Sequence, residues 1–173
     1  QAEQAGLVEK VKTKRAGSTA IRTLENETFW LQKLNPHGIG PQFIRFENGN
    51  LVMEYIEGIP FVDWYENHKG KERQQMIKKI FQQCRILDTL QVNKLEMHHP
   101  VKHIIIRNRK PVLIDFERCK ITLKPKNVTQ FCQFLLFLGE KIDTNTLKEL
   151  LVRYKKTYDE LDFNLIVRIF MRT

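Results

Sequence analysis

The spacing of apolar residues changes once along this chain, near Gly58, and that change limits the folds open to it. Before Gly58, apolar residues mark short strands at 7–11, 42–46 and 50–56 and a helical stripe at 21–34. An Asn-Gly dipeptide separates the last two strands, and this pair is a strong signal for a hairpin turn. Beyond Gly58, most apolar positions recur every three or four residues, which is the spacing of helices. The sequence therefore predicts an α+β fold, with a small sheet and one helix followed by a mainly helical part.

The mainly helical part also contains one predicted hairpin. Its first helix presents an apolar face made of Met76, Ile77, Ile80, Phe81, Cys84, Leu87 and Leu90. Two β-branched runs, 104–106 and 112–114, predict the hairpin. The segment 128–138 is apolar nearly all round, which predicts a buried helix. Two closing helices are predicted at 147–159 and 161–171.

Length and composition narrow the class of protein. A chain of 173 residues has the length of one domain, since domains usually hold about 100–200 residues. Its longest apolar run, 131–138, is far shorter than the ~20 residues that span a bilayer, so we predict no membrane contact. Residues 1–6 show no signal-peptide pattern, and three cysteines without a paired motif are typical of reduced thiols. These features predict a cytoplasmic protein.

Positive charge is concentrated in one stretch, 101–126. The formal net charge of the chain is +9, and this stretch holds eight basic residues against two acidic ones. The basic residues are Lys102, Arg107, Arg109, Lys110, Arg118, Lys120, Lys124 and Lys126. Such a stretch attracts polyanions, either a nucleotide or a nucleic-acid backbone, which makes a protein or RNA partner one interpretation. A solvated basic surface is the other.

Asp115 is the residue whose setting points most directly to chemistry. It follows the apolar run 112–114 and precedes Phe116. A carboxylate in such a setting is costly to bury unless it is paired or bound to a metal ion. The alternative is an aspartate that ends the strand and forms a turn.

Four segments, in chain order, resemble segments of protein kinases. The segment 8–11 resembles the strand that carries the phosphate-binding lysine, and 26–34 resembles the helix that carries its glutamate partner. The segment 51–58 is similar to the last strand of the small lobe and the hinge that follows it. The segment 112–117 resembles the magnesium-binding Asp-Phe-Gly motif, with glutamate in place of glycine.

This resemblance implies a minimal two-lobed kinase-like fold with ATP and Mg²⁺ between the lobes. The whole chain, 1–173, would form one domain, with an N-lobe at 1–57 and a C-lobe at 58–173 that lacks an activation segment. In such a site a lysine holds the phosphates, a glutamate orients the lysine and a carboxylate holds the metal ion.

The resemblance assigns these roles to particular residues. Lys10 would hold the phosphates, with Lys12 as the competing candidate because a two-residue offset puts it on the same strand face. Glu27 would orient the lysine, unless it is an ordinary solvated charge on the helix. Asp115 would bind Mg²⁺.

The adenine pocket would lie along the hinge. The resemblance makes Met53 a wall of this pocket. The backbone N–H and C=O groups of Glu54 and Ile56 would pair with the adenine edge. Read alone, these residues are equally consistent with an edge strand.

The catalytic loop departs from the family. Kinases have an aspartate as catalytic base and an asparagine five residues later as metal ligand. Alignment on the strand 104–106 puts His98 at the aspartate position and His103 at the asparagine position. Either histidine would then act in catalysis, with His103 also a candidate Mg²⁺ ligand, and Lys102 would neutralise a transferring phosphate. A zinc site built from His99 and His103 is a further alternative, but it has no obvious third ligand nearby beyond Glu96.

Two further departures narrow the resemblance. No glycine-rich phosphate loop precedes Lys10, and only residues 118–126 are available for an activation segment. A short chain of this kind resembles the RIO kinases and the kinase subunit of the KEOPS complex.

The leading hypothesis is therefore an atypical serine/threonine-kinase-like phosphotransferase or ATPase. The second is a catalytically inactive pseudokinase that works as a binding module, which the missing loop aspartate favours. An RNA-binding protein whose kinase resemblance is only architectural is the third. Small-molecule phosphotransfer, as in aminoglycoside and choline kinases, also stays open.

Overall fold

The computed structural model describes residues 11–15 and 21–171, which form six α-helices and eight short strands. In chain order the elements are β1 (Val11–Arg15), α1 (Ile21–Leu34), β2 (Phe43–Glu47), β3 (Asn50–Glu54), β4 (Ile59–Pro60), α2 (Phe61–Asn67), α3 (Gly70–Thr89), β5 (Val92–Asn93), β6 (Ile104–Arg107), β7 (Lys110–Leu113), β8 (Lys120–Ile121), α4 (Asn127–Phe137), α5 (Thr144–Thr157) and α6 (Glu160–Phe170). Two 3₁₀ turns, Asn35–His37 and Glu96–His98, complete the described structure.

The first sheet is antiparallel, with strand order β1-β3-β2. The predicted turn joins β2 to β3, and both Asn48 and Gly49 have positive φ angles, 50° and 74°. Positive φ at both central residues matches the twist of a two-residue hairpin, which is why Asn-Gly favours it. The sheet packs against α1, whose buried face supplies Leu24, Glu27, Trp30, Leu31 and Leu34.

The second sheet has strand order β4-β6-β7 and contains the predicted 104–114 hairpin. Gly58 approaches this sheet so closely that an added Cβ would lie 2.3 Å from the carbonyl oxygen of Ile106. Only glycine fits at that distance. The backbone of the predicted hinge therefore packs directly against β6.

The helical core forms around α3, α4 and α6. Helix α4 confirms the prediction of a buried helix, since Val128, Phe131, Cys132, Phe134 and Leu135 are all fully buried. Asp143 and Asp159 cap α5 and α6 by accepting backbone N–H groups of the first helical turn, which fixes where each helix begins. No helix of the described residues is long and apolar enough to cross a bilayer.

The sequence prediction differs from the structure at several elements, among them β1, α2 and β3. Strand β1 spans Val11–Arg15, where pairing with β3 outweighs the polar character of residues 12–15, and the other residues of the predicted strand, 7–10, lie outside the described residues. Helix α2 was not predicted, since seven residues are too short for a clear helical period. Strand β3 ends at Glu54 instead of 56. The division into lobes at 57 and 58 stays a prediction.

Asp88, near the end of α3, is a buried carboxylate that ties three helices together. It accepts hydrogen bonds from the backbone N–H of Asn127 (3.0 Å), the Asn127 side-chain amide (2.8 Å), the backbone N–H of Val128 (3.4 Å) and the Tyr154 hydroxyl (2.7 Å). Asn127 also accepts from the backbone N–H of Lys94, which links this network to the segment after β5.

We therefore predict that Tyr154→Phe lowers the free energy of unfolding by about 1.5–3 kcal/mol, the usual value of a hydrogen bond to a charged group. The matched control is Tyr158→Phe, which removes a hydroxyl that donates to the neutral carbonyl of Pro125 at 2.8 Å. That variant should lose only about 0.5–1.5 kcal/mol. Urea denaturation of both variants gives the comparison, and equal losses would contradict a charged acceptor at Asp88.

Candidate active site

Three charged side chains from separate elements meet between the first sheet and the β6–β7 hairpin. The Nζ of Lys14, on β1, lies 2.8 Å from Oε2 of Glu27, on α1. The same Nζ lies 2.8 Å from Oδ1 of Asp115, which follows β7. One ammonium thus bridges two carboxylates.

Glu27 is the buried member of this group, with 1% of its side chain exposed. It lies on the apolar face of α1, because residues three and four apart share one side of a helix. A buried carboxylate needs partners to offset its lost hydration. Its Oε2 accepts from Lys14 and its Oε1 accepts from the backbone N–H of Phe116 at 3.2 Å, so both oxygens are satisfied.

Helix α1 also holds the rest of the 115–119 segment. The Asn26 side-chain amide donates to the carbonyl oxygen of Glu117 at 2.8 Å, and the Trp30 indole donates to the carbonyl oxygen of Cys119 at 3.0 Å. Phe116 is fully buried and packs near Gly40, where an added Cβ would lie 3.1 Å from its ring. The position of α1 therefore decides the position of this segment.

Asp115 itself has a strained backbone, with φ at 69°. A non-glycine residue in this region costs of order 1–3 kcal/mol and persists only where its surroundings hold it, commonly at functional sites. Here the Nζ of Lys94 donates to the carbonyl oxygen of Asp115 at 2.9 Å. Lys14 thus holds the side chain of Asp115, and Lys94 holds its backbone carbonyl group.

Burial and neighbouring charges shift the pKa values of Lys14, Asp115 and Glu117. Burial lowers the pKa of Lys14, but its hydrogen bonds to Asp115 and Glu27 outweigh burial and leave the pKa raised. Burial raises the pKa of Asp115, but the Lys14 hydrogen bond and charge leave it below its usual value. The pKa of Glu117 is raised by burial and by the nearby Asp115 charge.

A cavity of about 120 Å³ opens beside this group. Its lining consists of Lys12, Lys14, Pro41, Met53, Glu54, Tyr55, Ile56, Ile114 and Asp115. The resemblance to kinases predicted Met53, Glu54 and Ile56 together at such a pocket. The backbone N–H of Glu54 donates to the Gln42 carbonyl oxygen at 2.8 Å, so this donor is engaged within the protein. Within the described residues, the backbone of Ile56 has no hydrogen-bond partner.

The lysine of this site differs from the residue the sequence analysis favoured. Lys10 lies outside the described residues, and Lys12 is exposed at the cavity rim. Lys14 makes both carboxylate contacts. Residues two apart lie on the same face of a strand, so the spacing that made Lys12 an alternative to Lys10 also made Lys14 one.

The structure separates the catalytic-loop candidates. His98 is exposed and its Nδ1 lies 3.0 Å from the carbonyl oxygen of Leu95, while Lys102 is exposed in a turn. His103 does reach the group, with Nδ1 3.9 Å from Oδ2 of Asp115, and burial lowers its pKa. The ring of His99 packs against Phe134 and Phe137 instead. His98 and Lys102 as catalytic groups therefore stay predictions, without a contact to Asp115 among the described residues.

The geometry of the described residues does not favour a zinc site built from the histidines. Metal sites need several His, Cys, Asp or Glu side chains whose ligand atoms lie close together. Within residues 11–15 and 21–171, one group of at least three such side chains has its ligand atoms within 4.8 Å of one another, and its members are Glu27, Asp115 and Glu117. None of the clustered histidines belongs to it.

Lys94 was not among the residues predicted from sequence, and Glu96 was considered only as a third zinc ligand. Lys94 has 0% of its side chain exposed, and its Nζ lies 3.8 Å from Oε2 of Glu96. Burial lowers the pKa of Lys94. Arg118 lies on the other side, with Nε 3.8 Å from Oε1 of Glu96. Nothing in the spacing indicated this pair, because a fully buried lysine is rare and its burial depends on the tertiary structure.

Comparisons with known proteins bear on the fold. No protein-family profile matches the chain, and no curated protein matches it. A co-crystal structure of WbdD with the kinase inhibitor LY294002 is similar, with a TM-score of 0.60 and 17% identity over 92% of this chain. A structure of the bifunctional kinase-methyltransferase WbdD has a TM-score of 0.57 and 20% identity over 86% of this chain. The fold is similar to that of part of WbdD.

The likeness extends to architecture alone, because the identities are low. This chain spans 40% and 34% of the two WbdD chains. The described helices and small sheets agree with the kinase-like part of the sequence prediction. The narrower resemblance to RIO kinases and the KEOPS kinase subunit stays a prediction.

The pKa of Asp115 gives a direct test of the bridge. We predict that Lys14→Met raises it, because the variant removes the hydrogen bond and the positive charge that lower it. Lys12→Met, at the same cavity, should leave it unchanged. Titration of the Asp115 side-chain carboxyl carbon by NMR measures both. Equal pKa values in the wild type and Lys14→Met would refute the Lys14–Asp115 contact.

Proposed function

We propose that this chain is a kinase-like phosphotransferase that binds ATP with a divalent cation beside Lys14. One observation carries the proposal, the Lys14 ammonium held between Glu27 and Asp115 at 2.8 Å from each. Phosphoryl transfer needs a lysine on the phosphates, a glutamate that fixes it and a carboxylate that holds the metal ion. Kinase activity requires that the lysine–glutamate pair and the aspartate be in place together, and here the Lys14 ammonium contacts both carboxylates.

The residues present fit a divalent cation. Asp115 and Glu117 offer carboxylate oxygens close to each other, and carboxylates are ligands that Mg²⁺ prefers. The Nδ1 of His103 is a buried atom without a hydrogen-bond partner in the described residues, and it lies toward Asp115. When bound, the cation would neutralise charge on the phosphate oxygens. Lys14, freed in part from Asp115, would contact the same phosphates.

The adenine ring would enter the cavity beside the strand β3. Met53, Tyr55, Ile56 and Ile114 supply apolar lining, and the backbone of Ile56, which has no hydrogen-bond partner among residues 11–15 and 21–171, would pair with the ring edge. At about 120 Å³ the cavity is smaller than the ~300–1,000 Å³ of typical ligand pockets, so binding would widen it.

Glu96 would be the proton acceptor. Its side chain is 16% exposed, and its neighbour Lys94 also holds the Asp115 peptide group. The oxygen of an acceptor hydroxyl would attack the γ-phosphorus, and the bond from that phosphorus to the β–γ bridging oxygen would break. ADP would leave with the electron pair of that bond, and the hydroxyl proton would pass to Glu96. The sequence offered His98 for this role, and its Nδ1 lies 3.0 Å from the carbonyl oxygen of Leu95.

A pseudokinase is the second candidate. The observation in its favour is the catalytic loop, which contains no aspartate between 96 and 103. That protein would bind the nucleotide without turning it over. The basic stretch 101–126, in which all the basic side chains but Arg107 are exposed, is where the predicted protein or RNA partner would bind.

We predict that Mg-ATP binds the wild-type chain and stabilises it by about 2.7 kcal/mol at one hundred times its Kd. Lys14→Met should weaken binding strongly, while Lys12→Met is the matched control with a small effect. Calorimetric titration and thermal shift measure both, and LY294002 serves as a competing probe, since it occupies a structure with a similar fold. Absence of ATP binding to the folded wild type would end both the kinase and the nucleotide-binding pseudokinase proposals.

We predict that Glu96→Gln lowers the rate of phosphotransfer or ATP hydrolysis by about 10²–10⁴-fold, the usual contribution of a general base. ATP affinity should change little, since the variant keeps the size of the side chain. His98→Asn is the rival variant, and it should keep most of the rate. The opposite ranking would assign the base to His98, and an inactive wild type that binds ATP would establish the pseudokinase.

A further inference from the structure

A groove runs between helix α3 and the β6–β7 hairpin, and we call it the α3 groove. It is formed by two cavities of about 370 Å³ and 830 Å³ that meet at Lys79, which lines both. The helix lines it from Lys71 to Ile86, and the hairpin lines it from Arg107 to Val112. Of its described lining residues, only Glu54 also lines the cavity beside Lys14. The α3 groove is therefore a separate site, and a ligand there does not depend on the proposed function.

Positive charge dominates the α3 groove. Within residues 11–15 and 21–171, four of its cations have no carboxylate within 4.0 Å, and they are Lys71, Lys79, Arg109 and Lys110. Two carboxylates also line the groove, and each already has a partner. Glu54 Oε1 accepts from Arg107 at 2.6 Å, and Glu72 Oε1 lies 4.0 Å from Nε2 of His68. A surface with this balance of charge attracts an anionic ligand.

The tip of the hairpin presents one of these cations against the preference of the backbone. Asn108 and Arg109 have φ angles of 48° and 60°, in the left-handed region that favours glycine. The β2–β3 hairpin has similar angles at 48–49, and there glycine occupies the second position. The Nζ of Lys79 donates to the carbonyl oxygen of Arg109 at 2.8 Å, which ties the turn to α3. Because the turn by itself favours glycine at 109, the arginine points to a use for its side chain.

The length and lining of the α3 groove fit an extended peptide. Residues 71–86 of α3 span about 22 Å along the helix axis. An extended chain covers that distance with about six or seven residues. The exposed side-chain amides of Gln75, Gln82 and Asn108 line the groove, and amides can pair with the N–H and C=O groups of such a chain. We propose that the α3 groove binds an extended segment of a partner protein that is rich in Asp and Glu.

A single-stranded nucleic acid fits the α3 groove less well. Proteins that bind such strands stack the bases on exposed aromatic rings. Among the described lining residues, the one aromatic side chain is Trp64, which is 4% exposed. Its ring stacks on His68, with centroids 4.0 Å apart and planes at 9°. It therefore offers little surface to a base, whereas the cations and amides suit an acidic peptide.

The binding test is fluorescence anisotropy of a fluorescein-labelled peptide of seven glutamates, titrated with the protein in about 0.15 M salt, which screens distant surface charges. Arg109→Gly should weaken binding about threefold, the scale of one exposed ion pair, and Lys79→Gln combined with Arg109→Gly should weaken it about tenfold. The matched control is Lys120→Gln, which removes one positive charge from the exposed strand β8, outside the groove. Its Kd should stay within about twofold of the wild-type value.

Two further measurements separate a lost contact from a damaged fold. Arg109→Gly creates the Asn-Gly pair that such turns prefer, so its melting temperature should equal or exceed that of the wild type. Cross-linking tests the unmutated chain. The same peptide with a terminal benzophenone group should attach to residues 71–86 or 107–112, and mass spectrometry of the cross-linked product locates the attachment.

The outcomes decide the inference without reference to ATP. Weaker binding by a stable Arg109→Gly, together with cross-links in the α3 groove, would support it. Absence of peptide binding to the wild type would overturn it, as would equal losses in Arg109→Gly and Lys120→Gln, which would assign binding to overall charge. A ten-nucleotide oligouridylate that binds more tightly than the peptide and displaces it would make the groove a nucleic-acid site and would also overturn the inference.

Discussion

The described structure depends on one buried carboxylate, that of Glu27. It lies on the apolar face of α1 and is satisfied by the Lys14 ammonium on one oxygen and the Phe116 backbone N–H on the other. Removing either partner would leave a buried charge short of a hydrogen bond, which is strongly unfavourable. The Glu27 side chain therefore connects the first sheet, α1 and the segment after β7.

The same constraint places Asp115. Because Phe116 is fixed by Glu27 and packs beside Gly40, Asp115 adopts a positive φ and directs its carboxylate to Lys14. Lys94 holds the following peptide group from the opposite side and lies beside Glu96. The strain at Asp115 and the burial of Lys94 are both costly, and such costs concentrate at sites with a function. This pattern is what favours an active site over an inert scaffold.

The local elements could be predicted from sequence because their signals are local. The stripe of α1, the Asn-Gly hairpin, the 104–114 hairpin and the buried α4 each follow from spacing within about a dozen residues. Glu27 was named from the resemblance of its helix to the kinase helix that carries a glutamate, and Asp115 from the apolar run that precedes it. Lys14 was missed because a phosphate-binding lysine was expected between apolar neighbours, whereas β1 continues past them. Lys94 was missed because exposed charges and buried charges look alike in sequence.

The sequence alone determined the α+β order, the position of the turns and two of the three charged residues that meet at the site. Only the tertiary structure decided which lysine joins them and that His103, but not His98, faces Asp115. The reason is physical. Periodicity fixes which face of an element is apolar, but a charge is satisfied by partners far away in the chain, and Lys14 lies 101 residues from Asp115. Such pairing exists only once the elements are packed.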